Sequence, residues 1–539
     1  MTVRLLAAFT DPNTGKRYKV GNLLTTDAAT ETGLVAAKQA DTNLTGGTAW
    51  IDDDTTVNSA PVNSVSNRLT GGSNFSGDAY GLARRSAKMG IVATRCGFPT
   101  NHSEAANKQT MTRSAHNATD EIASLQLVYP GFYIQNTAPG ENNQGVDATV
   151  TASIEYPEGV FTQVKFSGVA AGTVPFGDFL TSDVVSVYIP KGARFRVRTW
   201  WNCSAGIMWT GLHQIQNAAA GDGFMYAATV TDMTMGGTVT NNASTPGGYV
   251  PCAIIAKTSS PSFFISGDSR AAGSYDFVTD GDGAWGSVAR NIQKTGAGYV
   301  VAGISGERLQ YLATTSGYTA KRALIAKYCT AVIGEAGIND LTNGATAANL
   351  ATWVQNYKDL MAPDKPLFWT TLEPVSSSTD WYCTVANQTV HSSNAERLLF
   401  NNNTVRAVAP PLAGFLEFAD LVESSPDSGK WAAPTRVVSD AAITSGAAVL
   451  TSATAAFTAR DLNAQVVVVG AGAAGALLKA VISAVTNPTT VTLSLSAGTT
   501  VSAAQAYIDL VTTDGTHHAR AGYERIQKGA VAPAVAAHI

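Results

Sequence analysis

Between Pro261 and Phe418, apolar runs of strand length alternate with helical patterns, and no other feature restricts the fold as much. The strand-like runs are Ser262–Ile265, Val300–Ile304, a third within Leu324–Ile333, Pro366–Leu372 and Gly414–Phe418. Helical stretches lie near Trp285–Lys294, Ala347–Met361 and Val390–Val408; in the second of these Leu350, Trp353, Val354, Tyr357 and Leu360 recur on one face. Strands alternating with helices predict a parallel sheet covered on both faces. Right-handed crossovers then bring every carboxyl end of the sheet to one edge, where open α/β sheets hold their ligands. Ser269, Gly306 and Asn339 each fall just after such a strand.

The first strand stops at Ser266-Gly267-Asp268-Ser269, where small, turn-forming residues force a sharp bend. Near the other end of the chain stands Asp514-Gly515-Thr516-His517. A serine hydroxyl is a weak nucleophile at neutral pH and needs a base within hydrogen-bond reach. His517 is the candidate base, and the D-x-x-H spacing lets one loop carry both it and Asp514, which can orient its ring. Each residue also has a plain structural reading: a Gly-Asp turn around Ser269, a helix-start turn at Gly306, a helix cap at Asn339, a surface histidine at His517.

These four blocks, in this order, resemble the SGNH (GDSL-type) hydrolase family, named for its Ser, Gly, Asn and His. The resemblance spans Pro261–Gln527 apart from one insertion. It implies an α/β/α flavodoxin-like hydrolase domain with Ser269, Asp514 and His517 as catalytic residues. It further implies an oxyanion hole formed by the backbone N–H groups of Ser269 and Gly306 and the side-chain amide of Asn339. Weaker matches are Thr371-Leu372-Glu373-Pro374, Ser378-Thr379-Asp380-Trp381 and Asp427-Ser428-Gly429-Lys430-Trp431. Two positions compete with this assignment: Gly303 with Gly306, and His518 with His517.

The remainder of the 539 residues divides by pattern. Residues 1–70 are mixed, with a short strand and turn at Gly15–Gly21, one helix expected over Ala28–Lys38 and a polar, irregular stretch at Asp52–Asn67. This start weakly resembles particle-attachment segments of bacteriophage tail and capsid-fibre proteins. Residues 71–256 alternate apolar and polar positions in short runs such as Ala148–Tyr156, Val184–Ile189 and Arg194–Trp200, which predicts a jelly-roll-like β-sandwich. Trp200, Trp201 and Trp209 read as core residues, with a sugar-stacking platform as the alternative. The hydrolase region is expected over 257–435 and resumes at 509–539 with the histidine block and a C-terminal helix. Between the two parts, residues 436–508 are rich in Ala, Thr, Val and Gly and read as a small inserted β module. The string Gly470-Ala471-Gly472-Ala473-Ala474-Gly475 inside it lacks the following helix and acidic residue that dinucleotide binding requires.

Charged residues make up 14% of the chain, below the ~25% of an average soluble protein. The net charge of −4 gives no footprint for nucleic acid. No run approaches the ~20 apolar residues of a membrane span, and Leu5–Phe9 is too short for a signal peptide core. Five scattered cysteines without C-x-x-C spacing read as buried small hydrophobes, although a Cys203–Cys252 disulfide stays open. No metal site or cofactor is expected. The flanking resemblances point to a virion-associated esterase on a tail or capsid fibre, made in the host cytoplasm. Its expected partners are a bacterial surface polysaccharide, from which it would remove O-acetyl groups, and other virion proteins. The expected assembly is a homotrimer, with the module's apolar surface packed on another subunit or on the sandwich. The alternative from another class is a virion structural or receptor-binding protein that uses the hydrolase fold as a scaffold.

Overall fold

The computed structural model describes residues 88–538, apart from 105, 212–217, 242–246, 278–282, 316 and 532. Before Lys88 it describes only short strands, such as Thr2–Leu5, which pairs antiparallel with Leu23–Thr25 and Ala40–Asp41. The helix expected over Ala28–Lys38 and most of the 1–70 attachment segment lie outside the described residues.

The region after Lys88 forms two antiparallel sheets. One runs in the order Phe161–Gln163, Ala148–Glu155, Arg194–Asn202, Gln109–Asn117, Gly223–Ala227, with Ala171–Val174 also paired to Ala148–Glu155. The other runs Phe179–Thr181, Ile122–Pro130, Ala253–Thr258, Lys88–Ile91, with Val185–Ile189 also on Ile122–Pro130. Alternating inward residues of both sheets, among them Val150, Ile154, Val197 and Trp201 from the first and Leu125, Leu127, Tyr129 and Ile254 from the second, share one apolar cluster. Trp201 is in that core, its ring 4.2 Å from Tyr249. Trp200 is on the opposite face of the same strand and donates its Nε1–H to Val230 O. The tryptophans therefore do not form a single platform. All five cysteines are buried and free, Cys203 and Cys252 included.

The α/β region contributes five parallel strands, here named β1 (Ser262–Gly267), β2 (Gly298–Gly303), β3 (Ala331–Glu335), β4 (Leu367–Thr370) and β5 (Gly414–Leu416), in the order β2-β1-β3-β4-β5. Every residue of β1 to β4 is buried, as expected of a sheet with both faces covered. The strand order reverses between β2 and β3 across β1, and such a switch point opens a crevice at the carboxyl ends. A sixth parallel strand, Cys96–Gly97, comes from the sandwich segment and pairs with β2. Phe98 beside it meets Phe264 of β1 edge-on, so the two antiparallel sheets and the α/β sheet share a core.

The long helix expected over Val390–Val408 is instead an α-helix at Asn394–Phe400 that widens into a π-helical turn at Asn401–Arg406. Asn401 accounts for the change: its side chain accepts from Leu372 N–H and donates to Leu372 O, a pairing that draws it into the core behind β4.

Residues Arg436–Ile508 form a closed six-stranded antiparallel barrel with its own core of Ile443, Leu450, Val466, Ile482, Val491 and Ile508. Arg436 pairs directly with Ile508, so the barrel leaves the α/β region and returns at one point. The Gly470–Gly475 string is a turn leading straight into the antiparallel strand Leu478–Asn487, with no helix after it. The barrel's apolar contacts run to its own host domain. Val467 packs with Cys383 and Leu510, Lys479 lies over the Trp381 ring, and Arg460 O accepts from Arg520. These contacts tie the barrel to the α/β region.

Candidate active site

Ser269 follows β1 at a turn held by backbone bonds from Asp268 N–H to Glu335 O and from Ser274 N–H to Ser269 O. Asp268 is buried, and its carboxylate accepts from the Arg270 N–H, which tightens the bend. Burial pushes the Asp268 carboxyl up to about 6, against the pull of Arg270. The bend brings the Ser269 Oγ to 2.8 Å from Nε2 of His517. Nδ1 of His517 lies 2.6 Å from Asp514 Oδ2.

Asp514 also accepts from the backbone N–H groups of Thr516 and His517, each at 2.8 Å. Burial alone would raise this carboxyl, but these bonds and the His517 ring outweigh it and bring it down to about 2. An ionised Asp514 accepts only, so Nδ1 carries the ring proton and Nε2 is left to accept from the serine hydroxyl. This is the tautomer that general-base catalysis needs.

The adjacent histidine has a different surrounding. His518 is completely buried, edge-on to Trp431 and Tyr523, with Nε2 3.2 Å from Glu373 Oε1. Burial lowers its pKa, and Arg270 adds to the effect. The two rings point in opposite directions, one to the cleft and one into the core. Glu373 is fully buried, and the Arg270 guanidinium 2.6 Å away holds its carboxyl below the usual carboxylate range despite the burial.

Gly303 and Gly306 also separate clearly. Gly303 is the buried last residue of β2, and a Cβ there would approach Ala272 N at 2.9 Å, so its role is packing. Gly306 is exposed in the loop beyond, at φ +79°, third in a turn closed by Glu307 N–H to Ile304 O. Asn339 lies in the first turn of the short helix Ile338–Thr342 after β3 and donates its amide to Glu307 O at 2.9 Å. Asp340 accepts from the N–H groups of Leu309 and Gln310, which fixes the helix that follows the Gly306 loop. All five residues expected from the sequence therefore stand around the carboxyl edge of β1, β2 and β3.

Several supporting residues carried weaker sequence signals or none. Arg270 donates to Glu373, Pro374 and Thr516. Trp431 donates its Nε1–H to Gly515 O, and the Tyr382 hydroxyl donates to Ser376 O beside Gly515. Glu373 and Trp431 belong to motifs that the sequence marks; Arg270 is marked only by following the serine. Tyr275, 57% exposed and at φ +62°, presents its ring 5.3 Å from that of His517. No group of His, Cys, Asp and Glu among the described residues could hold a metal ion. No helix among them is long and apolar enough to cross a membrane.

No protein-family model matches the chain. No curated protein matches it either. Among solved structures, similar chains include a lipolytic protein of the G-D-S-L family from Veillonella parvula, at 15% identity over 30% of this chain and 79% of that one, with a TM-score of 0.22. The carbohydrate acetylesterase Est24 from Sinorhizobium meliloti is 14% identical over 30% of this chain and 85% of its own, TM-score 0.22. A carbohydrate esterase family 2 enzyme with a carbohydrate-binding domain, from Corynascus thermopiles, is 14% identical over 62% of this chain and 90% of its own, TM-score 0.23. At TM-scores this low the likeness bears no weight, and the chemistry is read from the chain's own residues.

Proposed function

We propose that this chain is a serine carboxylic ester hydrolase of the SGNH type that removes O-acetyl groups from a bacterial surface polysaccharide. One observation carries the reading: Ser269, His517 and Asp514 form a continuous chain of hydrogen bonds, at 2.8 and 2.6 Å. In this mechanism Ser269 attacks the ester carbonyl while His517 takes its proton. His517 then returns the proton to the leaving alcohol, and water activated by the same ring releases the acid. The N–H groups of Ser269 and Gly306 and the Asn339 amide would receive the oxyanion.

A carbohydrate ester suits the surroundings. The exposed Tyr275 ring beside His517 offers a face for the apolar side of a sugar. The particle setting, a phage tail or capsid fibre with a trimeric assembly, belongs to the same reading and is supported only by the flanking sequence patterns. The test is acetate release from an O-acetylated polysaccharide and from a small acetyl ester. Both should be lost in Ser269→Ala with folding intact. A Ser269→Ala protein that still releases acetate would end the esterase reading, and an inactive wild type would favour the scaffold role.

A further inference from the structure

We propose that Asn136, carried by the sandwich region, is a positioning residue for the oxyanion hole of the hydrolase. Asn136 sits in the connection between the paired strands Tyr133–Ile134 and Glu141–Asn142. Its Nδ2 donates to the carbonyl oxygen of Ser305 at 2.8 Å. That carbonyl and the N–H of Gly306 are the two ends of one planar peptide group. A donor that fixes the oxygen fixes the N–H on the opposite side of the group.

The loop geometry makes this bond consequential. Ile304-Ser305-Gly306-Glu307 is a turn closed by Glu307 N–H to Ile304 O, with positive φ at its third residue, the signature of type II. Types I and II differ by a flip of the central peptide, here the one between Ser305 and Gly306, and glycine at the third position is compatible with both. The Asn136 amide bonds to the flipping unit itself and selects one orientation. A donor on the carbonyl also polarises the peptide and strengthens its N–H as a donor. The amide stands so close to Gly306 that a Cβ there would come within 2.4 Å of Nδ2.

The segment bearing Asn136 is tied to the same loop by a buried network. The Tyr318 hydroxyl lies 2.9 Å from Gln135 O and 2.6 Å from Glu307 Oε1, and so joins the neighbour of Asn136 to the neighbour of Gly306. Arg322 pairs with Glu307 at 3.1 Å and approaches Glu141 at 3.5 Å. Glu141 accepts from the N–H groups of Lys321 and Arg322. The Asn136 bond differs from these in being made to the Ser305–Gly306 peptide itself.

The inference rests on the esterase reading, and the experiment separates the two. In the full chain, Asn136→Ala and the isosteric Asn136→Asp, which replaces the donor with an acceptor, are compared with wild type on a small acetyl ester. Such a substrate is too small to report lost sugar contacts. The expected result is a fall in kcat of about tenfold for Ala and more for Asp, because a misoriented donor forfeits part of the oxyanion stabilisation. KM should stay within about twofold and the melting temperature should be unchanged. Binding of a boronic acid that forms a tetrahedral adduct at Ser269 should weaken in parallel with kcat. Both variants turning over at wild-type rate, or losing kcat only in step with melting temperature, would overturn the role of Asn136. If Ser269→Ala keeps its turnover, the esterase reading fails and this inference fails with it; an inactive Ser269→Ala beside fully active Asn136 variants removes this inference alone.

Discussion

Arg270, the residue after Ser269, donates from Nε to the backbone oxygen of Thr516, the residue before His517, at 2.9 Å. One buried guanidinium thus spans the 246 positions between the serine turn and the histidine loop. Its other donors close on Glu373 Oε2 at 2.6 Å and on Pro374 O. The separation of Ser269 and His517 is set from beneath the site by a side chain that touches neither.

Arg270→Lys should therefore lose activity without losing the fold. Lysine keeps a charge for Glu373 but cannot also reach Thr516 in the fixed fork geometry of a guanidinium. We expect kcat to drop by one to two orders of magnitude. Arg270→Ala removes one partner of a buried ion pair and should destabilise by about 3–5 kcal/mol. Steady-state kinetics with thermal melts on both variants checks this. Wild-type kcat in Arg270→Lys would show that the Thr516 bond is dispensable.

The two adjacent histidines should separate by readout. His517→Ala should abolish turnover by several orders of magnitude with an unchanged melting temperature. His518→Ala should do the reverse, losing on the order of 3 kcal/mol of stability because it leaves a cavity and deprives Glu373 of a neighbour. The surviving folded fraction should keep substantial activity. An active His517→Ala would mean that the loop register is misread.

Asp268 gives the protein a pH signature. Its carboxyl is raised from 3.8 to about 6, so the folded state holds a proton over that window while the unfolded state has already lost it. The stability this group contributes is full below 3.8 and is lost as pH rises through about 6. A shift of this size corresponds to about 3 kcal/mol. Asp268→Asn keeps an acceptor for the Arg270 N–H and cannot ionise. Its melting temperature should exceed that of wild type at pH 8, and the gap should close toward pH 4. A gap independent of pH would contradict the assignment.

The barrel should be separable from the chemistry. Arg436 and Ile508 are paired neighbours, so a short Gly/Ser bridge can replace the strands between them. We expect turnover of a small ester to persist and the melting temperature to fall, because Cys383 and Leu510 lose their cover from Val467. Loss of small-ester turnover in a folded deletion variant would show that the barrel shapes the histidine loop.

What was legible in the sequence was local or periodic. The five-strand alternation is periodic, and the Gly-Asp-Ser bend and the D-x-x-H loop each lie within a few residues, so pattern and spacing expose them. The D-x-x-H spacing selects His517, but what His518 does instead depends on burial beside Trp431, Tyr523 and Glu373, segments far apart in the chain. The same holds for Asn136, 169 positions from Ser305, in a region whose pattern announces only half-buried strands. The three nearby tryptophans read as core residues, which holds for Trp201, while the two-residue period of a strand sends Trp200 to the opposite face. The helix beyond Val390 starts at Asn394 and runs on as a π-helical turn through Arg406, with the buried Asn401 amide paired to Leu372.

The most direct test of the central claim is covalent labelling of the nucleophile. A fluorophosphonate reacts with a serine that its histidine has activated and leaves a stable adduct. Peptide mass mapping of the treated protein should place a single modification on Ser269, at one per chain, with turnover lost in proportion to labelling and no label in His517→Ala. Full labelling of another residue with loss of activity, or an unlabelled protein that still hydrolyses esters, would contradict the account.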